Sequence, residues 1–218
     1  MSNFIYIMGK SATGKDTIYK KLLKQLEINT YVPYTTRPKR AGEKQGKEYF
    51  FITNEQFEEI QKMHRVMEYR SYNVINSNGE NDIWTYATVD DKQWKKEGNF
   101  ITMGTLESYK SILTYLKQHP ERKIDIVPVY ISIDEKERRR RAIAREKIQQ
   151  KSNYEEMERR LKADNLDFSA ENLLEAGITQ NETFENYDLQ KCVDDILKYV
   201  SLKTNVKTSK KEIEEEER

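Results

Sequence analysis

An apolar run opens the chain and ends at a glycine. The run, "FIYIMG" (4–9), leads into a short Gly/Ser/Thr loop and then into "KDTIYKKLLKQL" (15–26). In the second segment Ile18, Leu22 and Leu26 recur at the spacing of one helix face. The pattern therefore predicts a buried strand, a loop and an amphipathic helix, in that order.

The pattern becomes irregular between residues 33 and 88. Its short apolar pieces are rich in aromatic residues and are separated by turn signals such as "KRAG" and "NSNGEND". We predict a small, mostly-β insertion over this range.

Helix and strand patterns alternate again after the insertion. They predict a helix over "VDDKQWKKEG" (89–98), a strand over "NFITMG" (99–104), a helix over "TLESYKSILTYLK" (105–117) and a strand over "IDIVPVYISI" (124–133). A charged helical region from 134 to 175 and a last amphipathic helix, "LQKCVDDILKYV", complete the pattern. Alternation of this kind favours an α/β fold with a parallel sheet flanked by helices.

The length of the chain indicates its domain organisation, and its net charge indicates which classes of partner it favours. A chain of 218 residues suits one domain with inserted parts. We divide it into a core (1–32 and 89–206), the insertion (33–88) and a flexible charged tail (207–218). Lys and Arg exceed Asp and Glu by 38 − 37 = 1, so no global field favours nucleic acid or a membrane as partner.

Cysteine and histidine are scarce in this sequence. Cys192 is the single cysteine, which rules out an internal disulfide, and no apolar leader pattern precedes the first strand. We therefore expect a cytoplasmic protein, a monomer or homodimer. His64 and His119 are isolated among charged neighbours, so a histidine metal cage is not expected.

The loop after the first strand carries a phosphate-binding motif. Gly9, Gly14 and Lys15 fit G-x-x-x-x-G-K-[ST], but Asp16 stands in the hydroxyl position and Thr17 follows it. Glycines that allow close backbone approach and a helix N-terminus together form an anion site, which predicts a P-loop NTPase-type fold. The ATP-binding residues expected here are Gly9, Ser11, Gly14, Lys15, Asp16 and Thr17. Asp16 either ligates the Mg²⁺ of the nucleotide or repels the phosphates.

A second anion site is indicated by "YTTRPKRAGEKQGKEYFF" (34–51). Two guanidiniums, Arg37 and Arg40, and the phenol of Tyr49 can hold a phosphate monoester by charge-assisted hydrogen bonds. A cluster of basic residues in a loop is otherwise usually only solvated. Here the pattern T-T-R-x-x-R-x-G-E-x-x-G-x-x-Y resembles the monophosphate-binding signature of the guanylate kinase family.

The resemblance extends over about residues 3–200 and implies further site residues. It implies a guanine-binding carboxylate at Glu68, a phosphate ligand at Tyr86 and a residue near the base at Thr88. "EKERRRRAIAREK" and "MERRLKAD" resemble the family's helical lid, at about 135–165, whose arginines would be Arg141, Arg145 and Arg160. "FENYDL" resembles the segment in which Asn186 would contact the adenine of ATP. We expect Arg138–Arg140 to form a solvated, salt-bridged helix face.

The sequence departs from the family at two places. The hairpin between Glu68 and Tyr86 is longer than usual, and the strand "FITMGTLE" has Met103 and Thr105 where the family has two aspartates. One of those aspartates touches the guanine and the other lies near the metal and phosphates; Glu107 could replace them in part. We therefore expect fewer contacts to the guanine base than in the family, whereas the residues of both phosphate sites are all present.

The resemblance implies ATP-dependent phosphorylation of a nucleoside monophosphate, GMP or dGMP, to the diphosphate with Mg²⁺. The residues that would act on the transferring phosphoryl group are Lys15, Arg37, Arg141, Arg145 and Arg160. One alternative is a sugar-phosphate kinase similar to ribose 1,5-bisphosphate phosphokinases, which share "GKDT" but lack the full monophosphate signature. Another is a non-catalytic guanylate kinase-like binding module, a class whose phosphate loop is usually damaged.

Overall fold

The computed structural model describes residues 2–75, 79–95, 98–148 and 152–208. Its strands are β1 (Ser2–Met8), β2 (Asn29–Thr30), β3 (Tyr34–Thr35), β4 (Phe50–Phe51), β5 (Val66–Ile75), β6 (Asn81–Val89), β7 (Phe100–Met103), β8 (Ile124–Ser132) and β9 (Thr183–Glu185). Its helices are α1 (Lys15–Gln25), α2 (Asn54–Lys62), α3 (Leu106–Gln118), α4 (Glu135–Lys147), α5 (Tyr154–Asp167), α6 (Ala170–Glu175) and α7 (Leu189–Lys203).

The larger sheet is parallel throughout, with strand order β2-β7-β1-β8-β9. Its central strand, β1, is covered on both faces. Ile5 and Ile7 pack into one apolar cluster, which includes residues of α1 and α7. Phe4 and Tyr6 pack into another, which includes residues of α3. Burial on both faces explains the continuous apolar run of β1, and it confirms the predicted parallel sheet flanked by helices.

The smaller sheet has the strand order β4-β3-β6-β5 and packs against α2 through Phe57, Ala87 and Val89. β5 and β6 form a long antiparallel hairpin, in which Glu68 lies opposite Thr88 and Arg70 opposite Tyr86. Because side chains alternate along a strand, Glu68 and Arg70 share one face of this sheet. Residues 76–78 of the longer hairpin lie outside the described residues.

The helix predicted over 89–98 is wrong; the structure has a 3₁₀ turn at Lys92–Lys95. Polar contacts tie this segment to the smaller sheet instead. Asp91 accepts hydrogen bonds from the Gln93 backbone N–H and from the Tyr34 hydroxyl, and the Gln93 side chain bonds both to the N–H and to the carbonyl of Val32. These side-chain bonds compete with the helical hydrogen-bond pattern.

The last described residues return to the core. The Lys207 carbonyl accepts a hydrogen bond from the Glu27 backbone at 3.0 Å, and Thr208 forms a β-bridge with Leu26. The remainder of the predicted tail, 209–218, lies outside the described residues. Within the described part of the chain, no helix has the length and apolar character needed to span a membrane.

Candidate active site

Two glycines shape the loop between β1 and α1. Gly9 has φ 154° and Gly14 has φ 92°, values that residues with a Cβ rarely adopt. A Cβ at Gly9 would overlap the Ile131 carbonyl, and one at Gly14 would overlap the Asn186 amide. The Gly14 carbonyl accepts hydrogen bonds from the N–H groups of Thr17 and Ile18, which begins the helix directly after the loop. The geometry is that of an anion-binding helix N-terminus.

Lys15 lies over this loop. Its Nζ donates to the Lys10 carbonyl at 2.9 Å. Burial lowers the pKa of Lys15; nearby Arg145 acts in the same direction, and the carboxylates of Asp16 and Asp164 oppose it. The ammonium group is thus held at the loop, where a bound phosphate would replace the carbonyl as its partner.

Asn186 and Arg141 reach the loop from two other elements. Asn186, just after β9, is buried, and its Nδ2 donates to the Thr13 carbonyl at 2.7 Å. Arg141 of α4 donates from Nη2 to the Asn186 carbonyl at 2.8 Å and from Nε to Glu137 at 2.9 Å. These bonds place one lid arginine beside the loop, together with Asn186.

The other lid residues differ in their contacts. Arg160 is 58% exposed and, among the described contacts, pairs with Glu156 of its own helix, α5. The expected solvated face is correct for Arg139 and Arg140 but wrong for Arg138, whose side chain is 0% exposed. The remaining arginine, Arg145, is exposed and lies close enough to Lys15 to lower its pKa.

Arg138 belongs to an ion-pair cluster that fastens α5 to the loop. Its Nη1 donates to Asp164 Oδ2 at 3.1 Å, and the same oxygen accepts the Ser11 backbone N–H at 2.7 Å. Lys10 Nζ adds a bond to Asn165 Oδ1 at 2.8 Å. Sequence reasoning missed this cluster, because its loop and α5 residues are 153 and 155 positions apart and no spacing rule joins them.

Arg37, Tyr49 and Tyr86 come together in the smaller sheet. The Arg37 guanidinium is 5.7 Å from the Tyr49 ring centroid, and the Tyr49 and Tyr86 rings are 5.7 Å apart. Burial alone would lower the pKa of Arg37, but Glu43, bonded to Arg37 Nη2 at 2.8 Å, and Tyr86 raise it. The backbone N–H of Arg40 bonds to the same Glu43 carboxylate, and the Arg40 side chain is exposed. We use the name phosphate grip for the four residues predicted to hold the acceptor phosphate: Arg37, Arg40, Tyr49 and Tyr86.

Glu68 is buried rather than a surface glutamate. Its Oε1 accepts the Thr88 hydroxyl at 2.9 Å, and its Oε2 accepts Arg70 Nε at 3.3 Å. Arg70 also donates from Nη1 to Thr105 Oγ1 at 3.2 Å, which connects the hairpin to the start of α3. Sequence reasoning missed Arg70, although its separation of two residues from Glu68 within the predicted mostly-β insertion was a usable signal.

A cleft lies between the loop helix and the phosphate grip. This cavity of about 850 Å³ is lined by Asp16 and Lys20 of α1, by Tyr49 of the grip and by Met103 of β7, among others. Thr105 and Glu107 line a separate cavity of about 390 Å³ together with Tyr72. Among the described residues, no group of three or more His, Cys, Asp or Glu could hold a metal ion. A metal at Asp16 would therefore need most of its ligands from nucleotide phosphates and water.

Residues 1–82 match the family model described as guanylate kinase. Over 70 residues the chain is 43% identical to the guanylate kinase of Mycoplasmoides gallisepticum, which covers 31% of this chain and 36% of that relative. Over 65 residues it is 45% identical to that of Clostridium tetani, covering 30% and 31%. Residues 1–82 thus resemble guanylate kinases in sequence. The matches span about a third of the length of these relatives.

A solved structure extends the likeness in fold beyond the matched segment. The crystal structure of guanylate kinase from Anaplasma phagocytophilum has a TM-score of 0.57 and 19% sequence identity, and the match covers 92% of this chain and 86% of that one. At this identity the likeness shows the fold alone. The likeness in fold thus extends beyond residues 1–82, to helices that the family model does not match.

Proposed function

We propose that this protein transfers the γ-phosphoryl group of ATP to a nucleoside monophosphate, GMP or dGMP, and forms the diphosphate. The supporting observation is that the loop helix and the phosphate grip line one cleft, through Asp16 and Tyr49. Two phosphate sites that face each other across a cleft suit a donor triphosphate and an acceptor monophosphate. The match of residues 1–82 to the guanylate kinase family model supports the same reaction.

The proposed transfer requires positioning and charge neutralisation more than acid–base chemistry. An oxygen of the acceptor phosphate attacks the γ-phosphorus, and the bond to the bridging oxygen of ADP breaks. The attacking phosphate is already anionic at neutral pH, so no residue needs to remove a proton. Lys15, Arg141 and Arg145 would stabilise the charge on the transferring group, and Arg160 would join them through movement of the lid.

Mg²⁺ would accompany ATP and neutralise charge on its phosphates. The donor set fits this role in one respect: Asp16 is exposed, lines the cleft and occupies the motif position of the usual metal-ligating hydroxyl. A carboxylate at that position is tolerable beside a triphosphate when a divalent ion lies between them.

The alternatives are not favoured. A sugar-phosphate acceptor would leave the buried Glu68–Thr88 pair without a role in binding, and the intact Lys15 argues against a non-catalytic module. The near-neutral net charge of +1 supports small nucleotides rather than nucleic acid or a membrane surface as partners.

A coupled assay of ADP release tests the proposal. The purified protein is given MgATP with GMP, dGMP, AMP, UMP or ribose 1,5-bisphosphate in separate reactions. We expect release with GMP and dGMP to exceed the acceptor-free rate and every other acceptor. ADP release that no nucleoside monophosphate accelerates would refute the proposed function.

A further inference from the structure

Arg70 connects the hairpin of the smaller sheet to the core. Its side chain is 19% exposed and that of Glu68 is 4% exposed. Nε bonds to Glu68 on the hairpin, whereas Nη1 bonds to Thr105 on the core. The guanidinium therefore lies between Glu68 and one of the two positions where the family has an aspartate.

The charge of Arg70 interacts with both Glu68 and Tyr49. Burial alone would lower the pKa of Arg70, but Glu68 raises it above its usual value. Burial raises the pKa of Tyr49, and Arg70, together with Arg37, opposes that rise. Arg70 thus lies within electrostatic range of both the base-binding carboxylate and the phosphate grip.

We propose that Arg70 determines base specificity by donating a hydrogen bond to the 6-oxo group of the acceptor purine, beside Glu68. This inference rests on the proposed function. Guanine presents an acceptor, O6, next to two donors, N1–H and the 2-amino group. Glu68 and Arg70 side by side present two acceptor oxygens and a donor, the complementary pattern.

The same pattern excludes adenine. The 6-amino group of adenine would place a donor against the Arg70 guanidinium, and its unprotonated N1 would place an acceptor against the Glu68 carboxylate. Hypoxanthine keeps both O6 and N1–H and lacks only the 2-amino group. We therefore expect Arg70 to favour purines with a 6-oxo group over those with a 6-amino group. Glu68 should in addition favour purines that carry the 2-amino group.

Arg70 would also add a contact to the base in a site that lacks the two family aspartates. Met103 and Thr105 offer no carboxylate to the base, so Glu68 alone would carry recognition. A guanidinium has five N–H donors. The bonds to Glu68 and Thr105 use two of its nitrogens and fix the planar group beside Glu68, and the other N–H groups remain for the ligand.

The test compares kcat/KM for GMP, IMP and AMP in the wild type and in Arg70→Met, Arg70→Lys, Glu68→Gln and Arg139→Met. Methionine keeps an unbranched side chain and removes every donor. We expect Arg70→Met to lower the GMP/AMP ratio at least tenfold and to leave the GMP/IMP ratio within about twofold, since both substrates carry O6. Arg70→Lys should recover part of the GMP/AMP ratio, and Arg139→Met, at an exposed ion pair, should change neither ratio.

Two results would overturn the inference. An unchanged GMP/AMP ratio in Arg70→Met would show that the guanidinium does not contact O6. A fall in the GMP/IMP ratio like that of Glu68→Gln would show that Arg70 only holds Glu68 in place. Thermal unfolding checks the fold of each variant, and if Arg70→Met does not fold, an unchanged GMP/AMP ratio in Arg70→Lys overturns the inference instead. Failure of the proposed function is distinct, because the wild type would then phosphorylate none of the three substrates.

Discussion

Asn186 donates its side-chain amide to the backbone carbonyl of Thr13, a residue 173 positions earlier in the chain, at 2.7 Å. The same amide occupies the space that a Cβ at Gly14 would need. The family resemblance gives Asn186 a role at the adenine of ATP. In this structure it also fixes the shape of the phosphate loop, so its loss should affect both stability and nucleotide binding.

Asn186→Ala should lower the thermal midpoint and raise KM for ATP. The buried Thr13 carbonyl would lose its partner, at a cost of about 1–3 kcal/mol. For a chain of this size each kcal/mol corresponds to about 2–4 °C. Gln190→Ala is the control and should change neither quantity, because this exposed amide bonds only to the side chains of Asp194 and Lys21 among the described contacts. A normal midpoint and a normal KM for ATP in Asn186→Ala would contradict this role.

Lys15→Met should leave the fold intact and remove most turnover. The lysine contacts the loop backbone and not the apolar core. Loss of a group that stabilises transferring charge typically costs about 10²–10³ in kcat. The measurements are steady-state kcat and thermal unfolding, with the exposed Lys24→Met on the same helix as control. Retention of a tenth of wild-type kcat would be incompatible with the proposed mechanism.

Asp16→Ala should raise the Mg²⁺ concentration needed for the half-maximal rate by about 10–100-fold. Asp16→Ser restores a hydroxyl ligand and should keep the rate within about tenfold of wild type. The measurement is a Mg²⁺ titration of initial rate at fixed ATP, together with nucleotide binding at the same Mg²⁺ concentrations. Equal midpoints for wild type and Asp16→Ala would show that the carboxylate does not act on the metal. Its role would then be a favourable interaction with the helix dipole in the first turn of α1.

Arg138→Met should destabilise the protein much more than Arg140→Met. Arg138 is fully buried and bonded to Glu135 and Asp164, whereas Arg140 is 69% exposed. Breaking a buried ion pair costs about 3–5 kcal/mol. An exposed pair contributes about 0–1 kcal/mol. Chemical denaturation of both variants gives the comparison, and equal free energies of unfolding would show that the cluster does not stabilise the lid.

Local periodicity of apolar residues predicts some parts of the fold well. The strand containing Ile5 and Ile7 and the helix containing Leu22 were predicted because burial repeats within a few residues. The 3₁₀ turn at Lys92–Lys95 was not, because the bonds of Asp91 and Gln93 to residues near 32 override local helical preference. The strand order of the sheet follows from no local pattern.

The candidate site divides in the same way. The loop around Lys15 and the segment containing Arg37 carry fixed spacings, so their residues could be named from the sequence. Asp164 could not, because it bonds to Ser11, 153 positions away. The spacing of Arg70 from Glu68 was a usable signal, but the bond of Arg70 to Thr105, 35 positions away, was not visible in the sequence. Such pairs come into contact only when the chain has folded.

The central position of β1 also affects the order of folding. The strand lies between β7 and β8, so its hydrogen-bonding partners begin at Phe100 and Ile124. Contacts of such large sequence separation slow folding, because the chain entropy of closing the intervening segment is lost before the contacts form. During synthesis, β1 leaves the ribosome long before either neighbour exists, and its apolar residues stay uncovered in the meantime. The strand that precedes the phosphate loop is thus made well before its two neighbours in the sheet.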